Sequence, residues 1–68
     1  MAVSARNQLK GEITNIVVDA VMAHVTIQVG ENVIESVITR RSADELALKE
    51  GDSVTAVIKA TEVLIAKP

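Results

Sequence analysis

The side chains best placed to do chemistry in this chain are hydrogen-bond donors: Ser4, Arg6, Thr39, Ser42 and Lys59. Each falls at the end of an expected element rather than in its middle. In a small barrel the strand ends gather at two rims, so residues remote in sequence can converge there. Arg6 offers a planar fork of N–H groups matched to oxyanion geometry, and Lys59 a second positive point charge. Ser42 heads an expected helix, where free backbone N–H groups and the helix dipole favour an anion. If its hydroxyl oxygen caps that helix, the hydroxyl hydrogen is still free to point at a ligand. Such a set is suited to holding a small oxyanion. Taken singly, each residue also has an ordinary role: Ser42 as a cap, Thr39 as a strand residue, Lys59 as a solvated charge, Arg6 as a surface arginine. The spacing alone leaves both readings open.

Catalysis has little to work with. There is no cysteine and no plausible Ser-His-Asp set, and the single histidine, His24, falls on the polar face of an expected strand. The carboxylates are scattered over turns and polar faces, which is the pattern of a solvated surface. No enzyme is expected, and no cofactor. One histidine and no cysteine also leave one chain unable to build a thiolate or multi-histidine metal site.

The 68 residues allow one domain, spanning 1–68. A core of this size is weak, because the ordering cost of roughly 1.5 kcal/mol per residue nearly cancels the gain from burial. Disulfides are excluded and metal sites disfavoured, so association with further copies is the expected remedy. Hydrophobic residues make up 49% of the chain, yet Phe, Tyr and Trp are absent. A core of Val, Ile, Leu and Ala favours strands. The net charge of −2 and the lack of base-stacking aromatics argue against an OB-type nucleic-acid binder. No apolar run reaches the ~18 residues of a membrane helix, and no signal peptide is visible, so no membrane partner and a cytoplasmic location are expected. With no DNA-binding or ATPase segment in these residues, a free-standing protein is the expectation.

Hydropathy periodicity then supplies the elements. Leu9–Val18 reads as a first strand whose apolar phase slips: Leu9, Gly11 and Ile13 share one face, Ile16 and Val18 the other. A bulge near Thr14-Asn15 accounts for the slip. Asp19-Ala20 is a turn. Val21–Val29 alternates, with Val21, Ala23, Val25, Ile27 and Val29 inward, and Gly30-Glu31-Asn32 makes a hairpin connection. Val33–Thr39 is apolar on both faces, which suggests cover by another subunit. Ser42-Ala43-Asp44-Glu45 carries the Ser-x-x-Glu capping pattern, heading a helix of about two turns that Gly51 ends. Ser53–Lys59 and Glu62–Lys67 complete the set around a tight Ala60-Thr61 connection. Five strands with one short helix between the third and fourth, and a bent first strand, is the layout of the OB barrel. An open sheet or small sandwich shares the pattern.

Read together, Ser4-Ala5-Arg6-Asn7-Gln8-Leu9-Lys10-Gly11, Ser36-Val37-Ile38-Thr39-Arg40-Arg41-Ser42-Ala43-Asp44-Glu45-Leu46 and Thr55-Ala56-Val57-Ile58-Lys59-Ala60-Thr61-Glu62-Val63 resemble the Mop family. These are small molybdate-binding proteins similar to the TOBE domains of molybdate transporters and regulators. Asp44 stands where the family pattern has Glu. The resemblance implies an OB-like fold that binds molybdate or tungstate between subunits of a homo-hexamer, a trimer of dimers. Carried over by position, Ser4, Arg6 and Lys59 match ligands on one chain, with Ala60 contributing its backbone N–H. Thr39 and Ser42 match ligands from the neighbour. A second, axial kind of site is implied, for which Asp19–Met22 is a candidate region. The alternative within the same family is an interaction or regulatory module of a molybdate transport system.

Overall fold

The computed structural model describes residues 3–68. It orders β1 (Asn7–Val18), β2 (Met22–Val29), β3 (Asn32–Thr39), α1 (Arg40–Glu45), β4 (Ser53–Ile58) and a 3-10 turn at Ala60–Glu62. The four strands form one antiparallel sheet in the order β3-β2-β1-β4. The helix lies between the third and fourth strands, as expected.

β1 has two partners. Its first half pairs with β4, from Asn7 opposite Ile58 to Glu12 opposite Ser53. Its second half pairs with β2, from Glu12 opposite Gln28 to Val18 opposite Ala23. The register shifts between Ile13 and Asn15, where the apolar phase slips. That bulge lets Ile13, which is 1% exposed, and Ile16 both reach the core. The handover happens beside Gly11. A Cβ there would lie 2.5 Å from the Gln28 carbonyl oxygen and 2.7 Å from Ile27 Cγ2. A backbone oxygen cannot step aside, so only glycine permits the crossing.

The core is small and aliphatic: Ile13, Val25, Ile27 and Ala56, flanked by the half-buried Ile16, Val29, Ile34, Ile38, Leu48 and Val54. β2 keeps the expected alternation except at Val21, which lies in the preceding turn and is exposed. β3 is two-sided. Ile34 and Ile38 pack inward, whereas Val33 and Val37 are exposed on the other face.

Two expectations need correction. The helix is capped not by Ser42 but by Thr39, whose Oγ1 accepts from the Ser42 N–H at 3.1 Å and starts the helix three residues early. It also stops early. Leu48 N–H donates to the Ala43 carbonyl and Ala47 N–H to that of Asp44, with Ala47 at φ 51°. This is a Schellman closure with alanine in the left-handed position that glycine ordinarily takes, so Gly51 plays no part in it. The second correction concerns Glu62–Lys67, which is not a strand. The 3-10 turn at Ala60–Glu62 carries this segment away from β4, and without a ladder partner an extended segment is no strand. The described residues therefore contain four strands in an open sheet rather than a five-stranded closed barrel.

Gly11→Ala is expected to destabilise the fold by about 1–3 kcal/mol, the usual cost of inserting a methyl where neighbours cannot yield. Chemical denaturation at fixed protein concentration measures it.

Candidate functional site

The donor residues divide into two groups at opposite ends of β1. Asn7 opposite Ile58 sets the first: Ser4 and Arg6 just precede Asn7, and Lys59 and Ala60 just follow Ile58. Ser4, Arg6, Lys59 and Ala60 are all exposed. Lys59 is extended (φ −64°, ψ 138°) and heads the 3-10 turn, and its carbonyl accepts from the Glu62 N–H at 2.9 Å.

Two carboxamides hold this corner together, and the sequence reading gave neither of them a role. Asn7 Nδ2 donates to the Ile58 carbonyl at 3.2 Å across β1 and β4. Gln8 Nε2 donates to the Ala5 carbonyl at 3.0 Å, drawing the Ser4–Arg6 bend back onto the strand. Their signal in the sequence was position: amide side chains at a strand's first residues can bond the backbone as readily as a ligand.

Thr39 and Ser42 form the second group. Thr39 pairs with Met22, beside the Val18–Ala23 end of β1 and β2. Thr39 Oγ1 accepts from Ser42 N–H and donates to Ser42 Oγ at 2.9 Å. That arrangement commits the threonine hydroxyl and leaves the serine hydroxyl hydrogen unspent. At about 3.3 Å per residue, the length of β1 separates the two groups by far more than a tetrahedral anion spans. One chain does not bring them together.

Charge distinguishes the two ends as well. Arg40 Nε lies 3.8 Å from Asp44 Oδ2 and Arg41 Nε 3.2 Å from Glu45 Oε1, so both helix arginines are matched by carboxylates. Among the described residues, Arg6 and Lys59 belong to no ion pair, and neither do Lys10, Lys49 and Lys67; what sets Arg6 and Lys59 apart is that they flank the same strand pair. His24 lies on the exposed outer face of the sheet, its Nε2 3.4 Å from Glu35 Oε1. Among the described residues there is no cluster of three or more His, Asp or Glu side chains fit to hold a bare metal ion.

A family model described as the TOBE domain matches residues 3–65. The chain belongs to the TOBE domain family. This TOBE chain is 46% identical over 66 residues to molybdenum-pterin-binding protein 1 of Clostridium pasteurianum, covering 96% of this chain and 97% of that protein. Its fold matches the high-resolution structure of a molybdate-binding protein from Sporomusa ovata, with a TM-score of 0.93, 37% identity, and coverage of 98% of this chain and 100% of that one. It also matches the cytoplasmic molybdate-binding protein ModG, in a form with molybdate bound. There the TM-score is 0.81 and the identity 43%, over 88% of this chain and 43% of that one. These matches place the TOBE chain among the small Mop proteins.

The Asp19–Met22 turn of this TOBE chain is built to hold itself. Asp19 Oδ1 accepts from the N–H groups of Met22, at 2.7 Å, and Val21, at 2.8 Å. Arg40 Nη1 donates to the Asp19 carbonyl at 3.3 Å. The Met22 and then the Val21 hydrogen bond hold the Asp19 carboxyl below its ordinary pKa, with the Arg40 charge adding to them. A group whose folded pKa is depressed stabilises the fold above its unfolded pKa, and that stabilisation is lost as pH falls through the folded value. Asp19→Ala is therefore expected to lower Tm at neutral pH, with the gap to the unsubstituted protein closing as pH drops below the ordinary carboxylate range. Thermal melts across pH 2–7 read this directly. For the other corner, Asn7→Ala is expected to cost about 1 kcal/mol and to speed amide exchange at the β1–β4 end more than elsewhere.

Proposed function

We propose that this chain binds molybdate, with tungstate as a competing ligand, at seams between copies of itself, and that it serves molybdenum storage and homeostasis. The observation that carries the reading is the corner at Asn7 and Ile58. Two cations, Arg6 and Lys59, stand there without carboxylate partners, in a family whose members include molybdate-binding proteins.

A tetrahedral dianion leaves water only if charge and hydrogen bonds replace its hydration. Arg6 and Lys59 balance it formally. Ser4 and the Ala60 N–H add neutral donors from the same chain, and Thr39 and Ser42 supply oxygens from a neighbour, because the length of β1 keeps them from serving the same ion. The Ser42 hydroxyl is the better donor of that pair, since Thr39 spends its hydrogen on Ser42 Oγ. Apart from Thr39, whose hydroxyl hydrogen goes to Ser42 Oγ, the proposed ligands all have a hydrogen to donate, and none is a carboxylate. This suits a fully deprotonated oxyanion better than phosphate, which is partly protonated near neutral pH and needs an acceptor. The chain contains no Phe, Tyr or Trp, which leaves a pterin ring only His24 and the arginine planes to stack on, whereas an inorganic oxyanion requires only donors. Binding without turnover is the reading, and no cofactor takes part. Among the described residues no helix is long and apolar enough to cross a membrane, and the cytoplasm is the proposed compartment, as for ModG.

Because ligands come from two copies, molybdate is expected to stabilise the assembly roughly as RT ln(1 + [L]/Kd). Arg6→Ala is expected to weaken molybdate binding by about 1.5–3 kcal/mol, the worth of hydrogen bonds to a charged group, with the far-UV CD spectrum unchanged. Isothermal calorimetry decides the point: unaltered affinity would remove Arg6 from the site. Native mass spectrometry with and without molybdate reports subunit number and bound ions together, and a clean monomer that still binds would refute the two-copy site.

A further inference from the structure

Two neighbouring carboxamides make the same kind of bond at two different places. Gln8 Nε2 donates to the Ala5 carbonyl at 3.0 Å, and Asn7 Nδ2 to the Ile58 carbonyl at 3.2 Å. In the sequence, Ala5 stands immediately before Arg6 and Ile58 immediately before Lys59. Each amide therefore grips the peptide unit that leads into one of the corner's two cations. A peptide unit is planar and trans, so a carbonyl held at one end fixes the direction of the N–H at the other. Lys59 is fixed from its far side as well, where its own carbonyl accepts from the Glu62 N–H at 2.9 Å.

The β1–β4 ladder alone does not account for these bonds. It runs from Asn7 opposite Ile58 to Glu12 opposite Ser53, and Arg6 and Lys59 lie just beyond its end. Both cations are exposed, and a long exposed side chain loses rotamer freedom when an ion fixes it. Anchoring the backbone from which each cation springs removes part of that cost before the ligand arrives. The chemistry of the anchors matters too. A carboxamide donates to a carbonyl without carrying charge. A carboxylate in either place would only accept, and would compete with an anion for the cation beside it.

We infer that Asn7 and Gln8 are positioning residues of the oxyanion site, Gln8 acting through Arg6 and Asn7 through Lys59. The inference rests on the reading of this corner as the molybdate site. It adds that the affinity of the site depends on two side chains whose hydrogens go to the backbone and not to the ion.

Calorimetry with molybdate on double-substitution cycles tests it, with thermal melts showing that each titrated variant is folded. Gln8→Met keeps the length of the side chain and removes the donor. It is expected to weaken binding about two- to tenfold, the worth of one neutral hydrogen bond. That loss is expected again in a Lys59→Ala background and is expected to vanish in an Arg6→Ala background. Asn7→Ala is expected to show the opposite dependence, losing its effect only beside Lys59→Ala. Gln8→Glu, of the same shape but with an acceptor in place of the donor, is expected to bind more weakly than Gln8→Met. Each arm judges its own residue. Unchanged affinity in Gln8→Met or Asn7→Ala would overturn the inference for that residue. So would an equal loss in both backgrounds, because a general loosening of the corner does not discriminate between the cations. If Arg6→Ala and Lys59→Ala themselves bind molybdate undiminished, the site reading falls and this inference with it. If they weaken binding while the cycles stay additive, this inference falls alone.

Discussion

One strand has to serve two neighbours, and most of this molecule follows from how it does so. β1 pairs with β4 along its first half and with β2 along its second, changing partners where Gly11 lies under the Gln28 carbonyl. The register shift just beyond it turns Ile16 onto the same core as Ile13. Remove the close crossing and the sheet could not bend. The bend also leaves a long strand with a group of donor side chains at each end. That separation forbids a single chain from assembling the whole donor set.

Electrostatics then distinguishes the two ends. At the helix end, Arg40 and Arg41 face Asp44 and Glu45 one turn along α1, exposed pairs of small individual worth. At the other end, Arg6 and Lys59 have no ion-pair partner among the described residues, in a chain whose net charge is −2. Asn7 and Gln8 spend their amides on the Ile58 and Ala5 carbonyls, so the corner is organised by neutral groups while its charges stay available. This economy suits a small anion that arrives and leaves without chemistry.

The aliphatic core sets the remaining constraint. The core contains no aromatic side chain, and Leu64 and Ile65 contribute nothing to the core of their own chain.

Local pattern was enough for the elements whose information is local. The alternation along β2, the phase slip in β1, the Gly30 hairpin and the helix between the third and fourth strands were all legible, because side-chain period and turn chemistry depend on near neighbours. Ser4, Arg6 and Lys59 could be singled out by type and position. Tertiary structure alone decided the rest. Thr39 rather than Ser42 caps the helix because the end of β3 holds Thr39 extended, and Ala47 ends it through a left-handed turn that no glycine announced. Glu62–Lys67 has every local feature of a strand, but a strand exists only when another backbone meets its hydrogen bonds. Whether donors far apart in sequence converge, or stay a strand's length apart, is likewise a property of the path the chain takes through space, which local composition does not encode.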